Sequence, residues 1–448
     1  MRLFILMKNI IVTLSLVLFA LTANAERVDM KQAGADASGK SLNTEIINST
    51  IVRLAKAGGG TLFFPAGDYL TGPITLQSNI TLDLEAGATL RFSDDPEQYV
   101  PMVDIRYEGV LLKSFHPLIS AMNAENITIK GEGTLDGQGK YWWNECHTTA
   151  KAMREGKGYI NKYQQMFADV NDMEHLRATT NEDWSFNLKY NFLRPPFIQP
   201  HHCKNVKIQG VHIQNSPFWT VNPQFCDNVL IDGITINNVP SPNTDGINPE
   251  SCSNVHICNS HIYVGDDCIT IKSGRDLNGR QAGRPCENIT ITNCTMLSGH
   301  GGVVIGSEMS GGVKKVTISN CVFDGTDRGI RIKSTRGRGG IVEDIRVSNI
   351  VMNNIQREAF VFNLKYSRMP AEPKSERTPV FRNIFINGCT VNGVKTPVKI
   401  VGLEEAPITG ISIRDVQVQN ATGENIIENC HDIRIADFVI DGKEFKVE

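Results

Sequence analysis

The sequence predicts an all-β protein: a single-domain right-handed parallel β-helix with an N-terminal capping helix. Two observations carry this prediction. A four-residue pattern recurs along the chain, in which Asn or Asp is followed by Ile or Val, any residue, and Ile or Val again. Helical stretches are few, and the Asn-Gly pairs that would turn the hairpins of a sandwich are sparse. Recurrence of one strand unit with few hairpins is typical of a solenoid.

The recurring units are short strands that end at Gly or Asn. Their first residues are Asn126, Asn205, Asn228, Asn254, Asn288, Asp344, Asn383 and Asp432. A second alternating run often follows the first, as in residues 206–213. Gly- and Pro-containing stretches absorb the variable spacing between units. We therefore expect coils of a β-helix that are joined by loops of different length.

Residues 1–25 have the form of a cleavable signal peptide. Arg2 and Lys8 precede an apolar run from Ile10 to Leu21, and Ala23-Asn24-Ala25 supplies a small-x-small cleavage site. The apolar run is short for a membrane span. We expect export to the periplasm or the medium, with no membrane contact after cleavage.

The mature domain is then 26–448. Loss of Arg2 and Lys8 takes the formal charge from −3 to −5. An acidic chain of this kind is a poor partner for nucleic acid. We expect a monomer.

A capping helix is predicted from Asn43 to Ala57, because the open end of a solenoid leaves unpaired backbone and apolar surface. Asn or Thr can cap its start, and Gly58-Gly59-Gly60 can end it. Its apolar face would be formed by Ile47, Ile51, Leu54 and Ala55.

The chain has eleven cysteines, all after residue 25. Several fall at similar places in the repeats, which favours small buried core residues over a disulfide framework. Cys268 and Cys286 flank a polar loop and could pair, and the sequence leaves that open. No Cys-x-x-Cys pair or His-x-x-x-His spacing indicates a metal site.

Four polar motifs interrupt or border these strands. They are Asn243-Thr244-Asp245-Gly246, Gly265-Asp266-Asp267-Cys268, Gly299-His300-Gly301 and Arg331-Ile332-Lys333. Each follows the last after about one coil, and neighbouring coils stack at about 4.8 Å. We therefore expect the four motifs to line one patch. Taken singly, Asp-Gly is usually a turn and paired Asp a solvated edge, but four such accidents on consecutive coils are improbable.

The patch would carry the groups that cut an acidic sugar chain. Three carboxylates in one cleft cannot all ionise cheaply, so one should hold a proton. Glycoside hydrolysis needs one protonated acid for the leaving oxygen and one ionised base for water. Arg331 and Lys333 point to one face and can meet a substrate carboxylate. Asp266 and Asp267 are adjacent, so the backbone must bend at Gly265 for both to face the cleft.

The four motifs, in this order, resemble the signature of glycoside hydrolase family 28, the polygalacturonases. The resemblance spans nearly the whole mature chain. Among members of the family, the chain resembles the bacterial exo-acting ones. The resemblance implies hydrolysis of α-1,4-galacturonosyl links in pectin with inversion. It also implies Asp266 as general acid, Asp245 with Asp267 as the base that activates water, and His300 as support for the acid. Arg331 and Lys333 would bind galacturonate, and the acid and base would stand roughly 6.5–9.5 Å apart. The resemblance implies no metal and no organic cofactor.

A long non-repeating insertion at about 140–195 bears on the mode of attack. Its aromatic residues are Trp142, Trp143, Tyr159, Tyr163 and Trp184. We expect these aromatic residues to face sugars and the insertion to cover one end of the groove, which favours exo attack with release of galacturonic acid from chain ends. If the insertion only covers the side of the helix, endo attack stays open. Arg336 and Arg338 are candidates to bind the second sugar.

Three other readings remain open. A rhamnogalacturonan hydrolase is the nearest alternative. It is disfavoured because the two cations suit a uronate at the cleaved position. A calcium-dependent pectate lyase would share the β-helix but needs a carboxylate cage for calcium. A non-catalytic carbohydrate-binding β-helix would need neither adjacent aspartates nor a coordinated histidine.

Overall fold

The chain winds into a parallel β-helix with three columns of stacked strands. The computed structural model describes residues 26–157, 161–180, 193–238 and 241–446. The predicted signal peptide, residues 1–25, lies outside these ranges, as do Tyr159 and Trp184. Nearly all strand pairings are parallel, which confirms the predicted right-handed parallel β-helix. None of the helices in these ranges is long and apolar enough to cross a membrane.

Strands of one column stack in parallel from coil to coil, and in the third column isolated bridges through Val221 and Ile247 link Ile198 to Ile269. The first column contains Glu26–Asp29, Gly60–Phe64, Ile80–Leu84, Glu125–Gly131, Lys204–Gln209, Asp227–Asp232, Ser253–Cys258 and Cys286–Thr292. The second contains Gly67–Thr71, Ala88–Phe92, Thr134–Asp136, His212–Gln214, Thr235–Asn237, His261–Tyr263 and Thr295–Met296. The third contains Ile74–Leu76, Ile119–Met122, Ile198–His201, Asp267–Ile271, Gly301–Gly306, Ile330–Lys333 and Ile426–Glu428.

Towards the C-terminus the strands lengthen and run through corners from one column into the next. These long strands are Val313–Asp324, Ile341–Asn363, Val380–Val401, Ile408–Ala421 and Cys430–Ile440. A short antiparallel strand, Lys443–Glu444, ends the described chain against the last of them. A separate antiparallel hairpin is formed by Val103–Tyr107 and Val110–Ser114. We refer to it as the 103–114 hairpin.

The repeat found in the sequence is the inward row of the first column. Ile127, Val206, Val229, Val255 and Ile289 are register partners in successive coils, and all are buried. Two further coils fill the wider gaps of the sequence pattern, because the same row continues through Val316 and Ile411. In these coils Lys315 and Gly410 stand where the other units have Asn or Asp, so the pattern missed them.

The recurring Asn has a conformational role. Asn126, Asn205, Asn228, Asn254 and Asn288 all have φ between 56° and 59°. Asn tolerates this left-handed region better than other residues with a side chain, apart from Asp. Each side-chain amide also donates to the Asn oxygen one coil below, at 2.8–3.3 Å. The ladder therefore sets the bend of each coil and ties neighbouring coils together.

Helix α1, Thr44–Lys56, covers the N-terminal end as predicted. Ile47, Ile51 and Leu54 are fully buried against the first coils, whereas Ala55 is only half-buried. Asn43 occupies the N-cap position, but its side chain does not cap the helix. Its amide oxygen accepts a hydrogen bond from the Asp36 backbone, so it anchors the preceding loop instead.

The described ranges contain four other α-helices, which lie outside the coils. They are α2 (Lys140–Arg154), α3 (Lys162–Val170), α4 (Met173–Thr179) and α5 (Asp276–Ala282). All eleven cysteines are free thiols, and nine of them are buried. The expectation of small core residues is confirmed, and Cys268 and Cys286 do not pair.

Candidate active site

The four polar motifs meet along the third column. Asp245 precedes Ile247, which pairs with Ile269, so Asp245 and Asp267 occupy equivalent places in adjacent coils. Asp267 in turn pairs with Gly301 of the next coil. In the coil after that, Arg331 and Lys333 pair with the strand that begins at Gly301. The structure thus brings all six predicted site residues to one patch.

Three carboxylates converge at this patch. One oxygen from each of Asp245, Asp266 and Asp267 lies within 4.8 Å of the others. The expected acid–base separation of roughly 6.5–9.5 Å is therefore not found between these nearest oxygens. The side chain of Asp266 is 18% exposed, whereas those of Asp245 and Asp267 are 4% and 1% exposed. Asp266 is the carboxylate that a ligand can reach most directly.

Asp267 is held by two cations. Lys333 Nζ lies 2.8 Å from its Oδ2, and Arg331 Nη1 lies 3.4 Å from its Oδ1. Burial alone would raise the pKa of Asp267, but the charges of Lys333, Arg331 and Lys272 outweigh burial and lower the pKa to about 2. Arg331 and Lys333 therefore have an anionic partner within the protein, in addition to the substrate carboxylate that the sequence predicted for them.

At Asp245, unlike Asp267, burial outweighs the nearby cations in setting the pKa. Burial raises the pKa of Asp245 well above its usual range, and the neighbouring Asp266 charge raises it further. Lys272 Nζ, 3.8 Å from Asp245 Oδ2, opposes this shift. Asn248 Nδ2 also donates to the same oxygen at 3.1 Å. Burial and the neighbouring charge therefore favour a proton on Asp245, against the effect of Lys272.

His300 contacts Asp266 as predicted. Its Nδ1 lies 3.1 Å from Asp266 Oδ1, and its backbone N–H donates to the Asp266 carbonyl at 3.0 Å. The hydrogen bond to Asp266 raises the pKa of His300. A positive charge is thus favoured beside the most exposed carboxylate.

The glycines of the motifs are required by close approach of neighbouring coils. A Cβ atom on Gly299 would lie 2.3 Å from the Asp266 carbonyl oxygen, and Gly299 also has φ of 124°. A Cβ on Gly265 would lie 1.9 Å from the Ser241 carbonyl oxygen. The sequence assigned Gly265 to a bend, and the bend is present before the strand that starts at Asp267. The stronger constraint on Gly265 is this lack of space.

Two charged residues at the site were missed by the sequence analysis. Lys272 lies between Asp245 and Glu308, and its Nζ is 2.8 Å from Glu308 Oε2. A signal for Lys272 existed, because it ends the same strand as Asp267 and falls in register between Glu250 and Gly306. Glu308 lies in a loop after the strand Gly301–Gly306, where no strand periodicity points to it.

One aromatic residue beside the cations was also missed. The ring of Tyr366 lies 5.6 Å from the Arg331 guanidinium and 5.4 Å from Lys333 Nζ. Its side chain is 38% exposed, which leaves part of the ring available to a sugar face. Tyr366 comes shortly after the strand Ile341–Asn363, in a stretch of sequence without a motif.

The further cations do not fit the role of binding a second sugar. Arg338 is buried, with its guanidinium 3.7 Å from both Asp276 and Glu308. The guanidinium of Arg336 donates to Glu405 at 2.9 Å. The expectation for Arg338 is wrong because a fully buried guanidinium cannot contact substrate, and Arg336 is already engaged by a carboxylate.

Three aromatic residues of the insertion, Trp142, Trp143 and Tyr163, lie in the part of the chain that the structure describes, and they pack against the protein. Trp142 is fully buried, with its ring 5.5 Å from that of Tyr99 and 5.2 Å from that of Phe115. Tyr163 packs on the same Phe115 ring at 5.3 Å, and Trp143 Nε1 donates to the Ser216 carbonyl at 3.0 Å. For these three residues the expectation of sugar contact is wrong, because they hold the insertion against the coils.

The 103–114 hairpin reaches the site instead. The Gly109 carbonyl at its tip accepts a hydrogen bond from the Arg275 backbone at 3.0 Å. Glu108 lies 3.6 Å from the Arg275 guanidinium, and the charges of Lys272 and Glu308 are close enough to act on it. Arg106, in the first strand of the hairpin, is buried against Glu250 at 3.3 Å. The hairpin therefore packs beside the buried charges that adjoin the carboxylate cluster.

Comparisons with known proteins agree on one family. The family model described as glycosyl hydrolases family 28 matches residues 183–437, a range that contains all six predicted site residues. A probable polygalacturonase from Vitis vinifera is 31% identical over 92% of this chain and 79% of its own length. An endo-polygalacturonase from Pectobacterium carotovorum is 29% identical over 64% of this chain and 63% of its own length.

A solved structure covers nearly the whole chain. The hyperthermoactive exopolygalacturonase from Thermotoga maritima is 35% identical and superposes with a TM-score of 0.84. The match covers 95% of this chain and 94% of the other. The two chains therefore share the same fold over nearly their whole length.

Replacing Lys333 with Met tests the ion pair within the site. The change leaves the buried Asp267 without its closest cation, so we expect a loss of about 3–5 kcal/mol in the free energy of unfolding. Chemical denaturation followed by circular dichroism measures it. Lys314→Met is the matched control, since Lys314 pairs with Glu287 at 3.5 Å on an exposed part of the sheet and should cost little. Equal stability of the two variants would contradict the buried pairing.

Proposed function

The chain belongs to glycosyl hydrolases family 28, and on that basis we propose that it is a polygalacturonase, which cleaves α-1,4-galacturonosyl links in pectin. The observation that carries the proposal is the convergence of three carboxylates within 4.8 Å beside Arg331 and Lys333. Carboxylates supply the acid and base of glycoside hydrolysis, and the cations suit a uronate.

Asp266 is the general acid in this proposal. It is the most exposed of the three carboxylates, so it can reach the glycosidic oxygen. Its hydrogen bonds with described residues both fall on Oδ1, one with His300 and one from the Asp267 backbone N–H. Oδ2 is therefore the oxygen that delivers the proton to the leaving sugar.

Asp245 and Asp267 divide the work of the base. A pKa of about 2 makes Asp267 a weak base, but its fixed oxygens can orient a water molecule. Burial raises the pKa of Asp245, so Asp245 is the better proton acceptor once it is ionised. The water attacks the anomeric carbon, its proton passes to Asp245, and the glycosidic oxygen leaves with the proton of Asp266.

We propose inversion of the anomeric centre. The short distance between the nearest carboxylate oxygens, taken alone, resembles that of retaining enzymes, in which one carboxylate forms a bond to the sugar. Here neither partner of Asp266 is suited to that bond. Asp267 is held by two cations, and Asp245 is buried beneath Asn248 and Lys272. Water is then the nucleophile that remains.

Substrate binding rests on the cations and one ring. Arg331 can use the donors that Asp267 does not occupy, since a guanidinium carries five. Tyr366 offers a partly exposed ring beside it for a sugar face. A galacturonate placed there would have its carboxylate at Arg331 and Lys333 and its ring on Tyr366.

Exo attack is the proposed mode. The 103–114 hairpin and the loop that holds Arg275 pack beside the buried charges that adjoin the carboxylate cluster, where they would limit how far a chain can extend past the cleaved link. The similar enzyme from Thermotoga maritima is named an exopolygalacturonase. Endo attack is the alternative, because the Pectobacterium carotovorum relative is named an endo-polygalacturonase.

A calcium-dependent lyase fits the site less well. The three carboxylates are close enough to hold a cation. Lys272, Arg331 and Lys333, however, already lie within 3.8 Å of them and balance their charge. A rhamnogalacturonan hydrolase would have less use for two cations, and a binding-only β-helix would not need Asp266 beside His300.

Replacing Asp266 with Asn tests the assignment of the acid. Loss of general acid catalysis should lower kcat/KM on polygalacturonate by about 10²–10⁴-fold, with the unfolding temperature little changed. Release of reducing ends measures activity. Asp327→Asn is the control, because this carboxylate lies nearby but outside the cluster. Full activity of the Asp266 variant would refute the assignment, and loss of wild-type activity on addition of a chelator would favour the lyase.

The product profile over time tests both the mode of attack and the stereochemistry. Proton NMR of polygalacturonate digests should show free galacturonic acid from the first minutes, with the β-anomer formed first. A ladder of oligomers would indicate endo attack. Initial formation of the α-anomer would indicate a covalent intermediate and would exclude water as the first nucleophile.

We also propose that the protein is exported by cleavage of residues 1–25 and acts as a monomer. The support for export is the basic start, apolar run and Ala23-Asn24-Ala25 of the sequence. Mass spectrometry of the protein made with its full sequence should find a mature chain that begins at Glu26. A retained N-terminus would contradict export by this route, and light scattering reports the oligomeric state.

A further inference from the structure

A line of buried charges leads away from Asp245 into the protein. Lys272 lies 3.8 Å from Asp245 and 2.8 Å from Glu308. Glu308 lies 3.7 Å from Arg338, which lies 3.7 Å from Asp276. All five side chains are at least about nine-tenths buried. Charges so far from water must be compensated by one another, so each one affects the next.

Lys272 is the charge that links this line to the reaction. Its ammonium also lies over the ring of Trp219, 4.4 Å from the ring centre, so water is kept from that side. Burial alone would lower the pKa of Lys272, but Glu308 and Asp245 outweigh burial and raise it. Lys272 is therefore a permanent cation at the inner side of Asp245.

Glu308 determines how strongly Lys272 acts. The ammonium makes its short contact with Glu308, at 2.8 Å, and only a longer one with Asp245, at 3.8 Å. Ser307 Oγ donates to the other oxygen of Glu308 at 2.9 Å and fixes its orientation. Burial alone would raise the pKa of Glu308, but Lys272 and Arg338 hold it well below its usual range. The pair is thus a fixed ion pair next to the catalytic carboxylates.

We propose that Lys272 and Glu308 are positioning residues that decide whether the proton needed for hydrolysis lies on Asp245 or on Asp266 before cleavage. The inference rests on the hydrolase function proposed above. A cation beside Asp245 favours the ionised form of Asp245, which leaves the proton on Asp266. That distribution is the one that catalysis needs. Glu308 weakens the effect of Lys272 by engaging its ammonium.

Other charges also face these groups. Asp245 is faced by Asp266, Asp267, Lys272 and Lys333, and Asp266 by His300. Lys272 is faced by Asp245, Asp267, Glu308, Glu250 and Glu108. Glu308 is faced by Lys272, Lys333, Arg338, Arg275, Glu250 and Glu108. Removal of one member of the pair leaves all of these in place, so the direction of each change can be predicted.

The pH profile of kcat/KM on polygalacturonate tests the proposal. Lys272→Met removes the cation and so raises the pKa of Asp245, the base. The low-pH side of the profile, called the acid limb here, depends on ionisation of Asp245 and should move to higher pH by about one unit. Glu308→Gln removes the competing anion, so the acid limb should move to lower pH. Lys272→Arg keeps the charge and should keep the limb near its wild-type position. Opposite shifts in the two charge-removing variants are the expected result.

Folding and function are separated by two controls. The first control is the unfolding temperature of each variant. The second is the double variant Lys272→Met/Glu308→Gln, which removes one charge of each sign and so preserves the net buried charge. It is used if a single variant fails to fold. Its acid limb should lie above that of Glu308→Gln. If the variants lose stability or amplitude while every limb stays in place, the pair is only structural and the proposal fails. Absence of wild-type activity on polygalacturonate would instead refute the proposed function.

Discussion

Parallel pairing of each coil with the next, in constant register, is the constraint on which this structure depends. It places every inward residue above its equivalent, as in the row from Ile127 through Val206 to Val229. It also puts residues that are far apart in the chain into direct contact, such as Val206 with Val229 and Ile345 with Ile384. The Asn ladder maintains this register, because each Asn holds a left-handed bend and bonds to the Asn of the adjacent coil.

The site follows from that constraint together with charge balance. Stacking brings three carboxylates closer than they could lie without compensation, and three cations from the same column supply it. The balance is uneven, since Arg331 and Lys333 pair directly with Asp267, whereas Lys272 lies 3.8 Å from Asp245 and makes its shorter contact with Glu308. The pKa of Asp245 is therefore raised and that of Asp267 lowered, and hydrolysis requires carboxylates that differ in proton affinity.

Much of this could be predicted from the sequence where the signal is local. Asn and Asp at the bends, the apolar face of helix α1 and the four motifs are each readable within a few residues. The coils through Val316 and Ile411 were not predicted, because Lys315 and Gly410 stand where the sequence pattern requires Asn or Asp. The aromatic insertion was misread, since composition does not tell whether Trp142 faces a sugar or the rings of Tyr99 and Phe115.

The sequence by itself determined the fold class, the capping helix and the identity of the six charged residues, because strand period, bend residues and motif order are properties of short segments. Tertiary structure alone decided what surrounds those residues. The partnership of Lys272 with Glu308 and the docking of the 103–114 hairpin on Arg275 depend on how far each loop travels between coils. Loop paths are set by packing at long range, and no local pattern records which side chains they bring together.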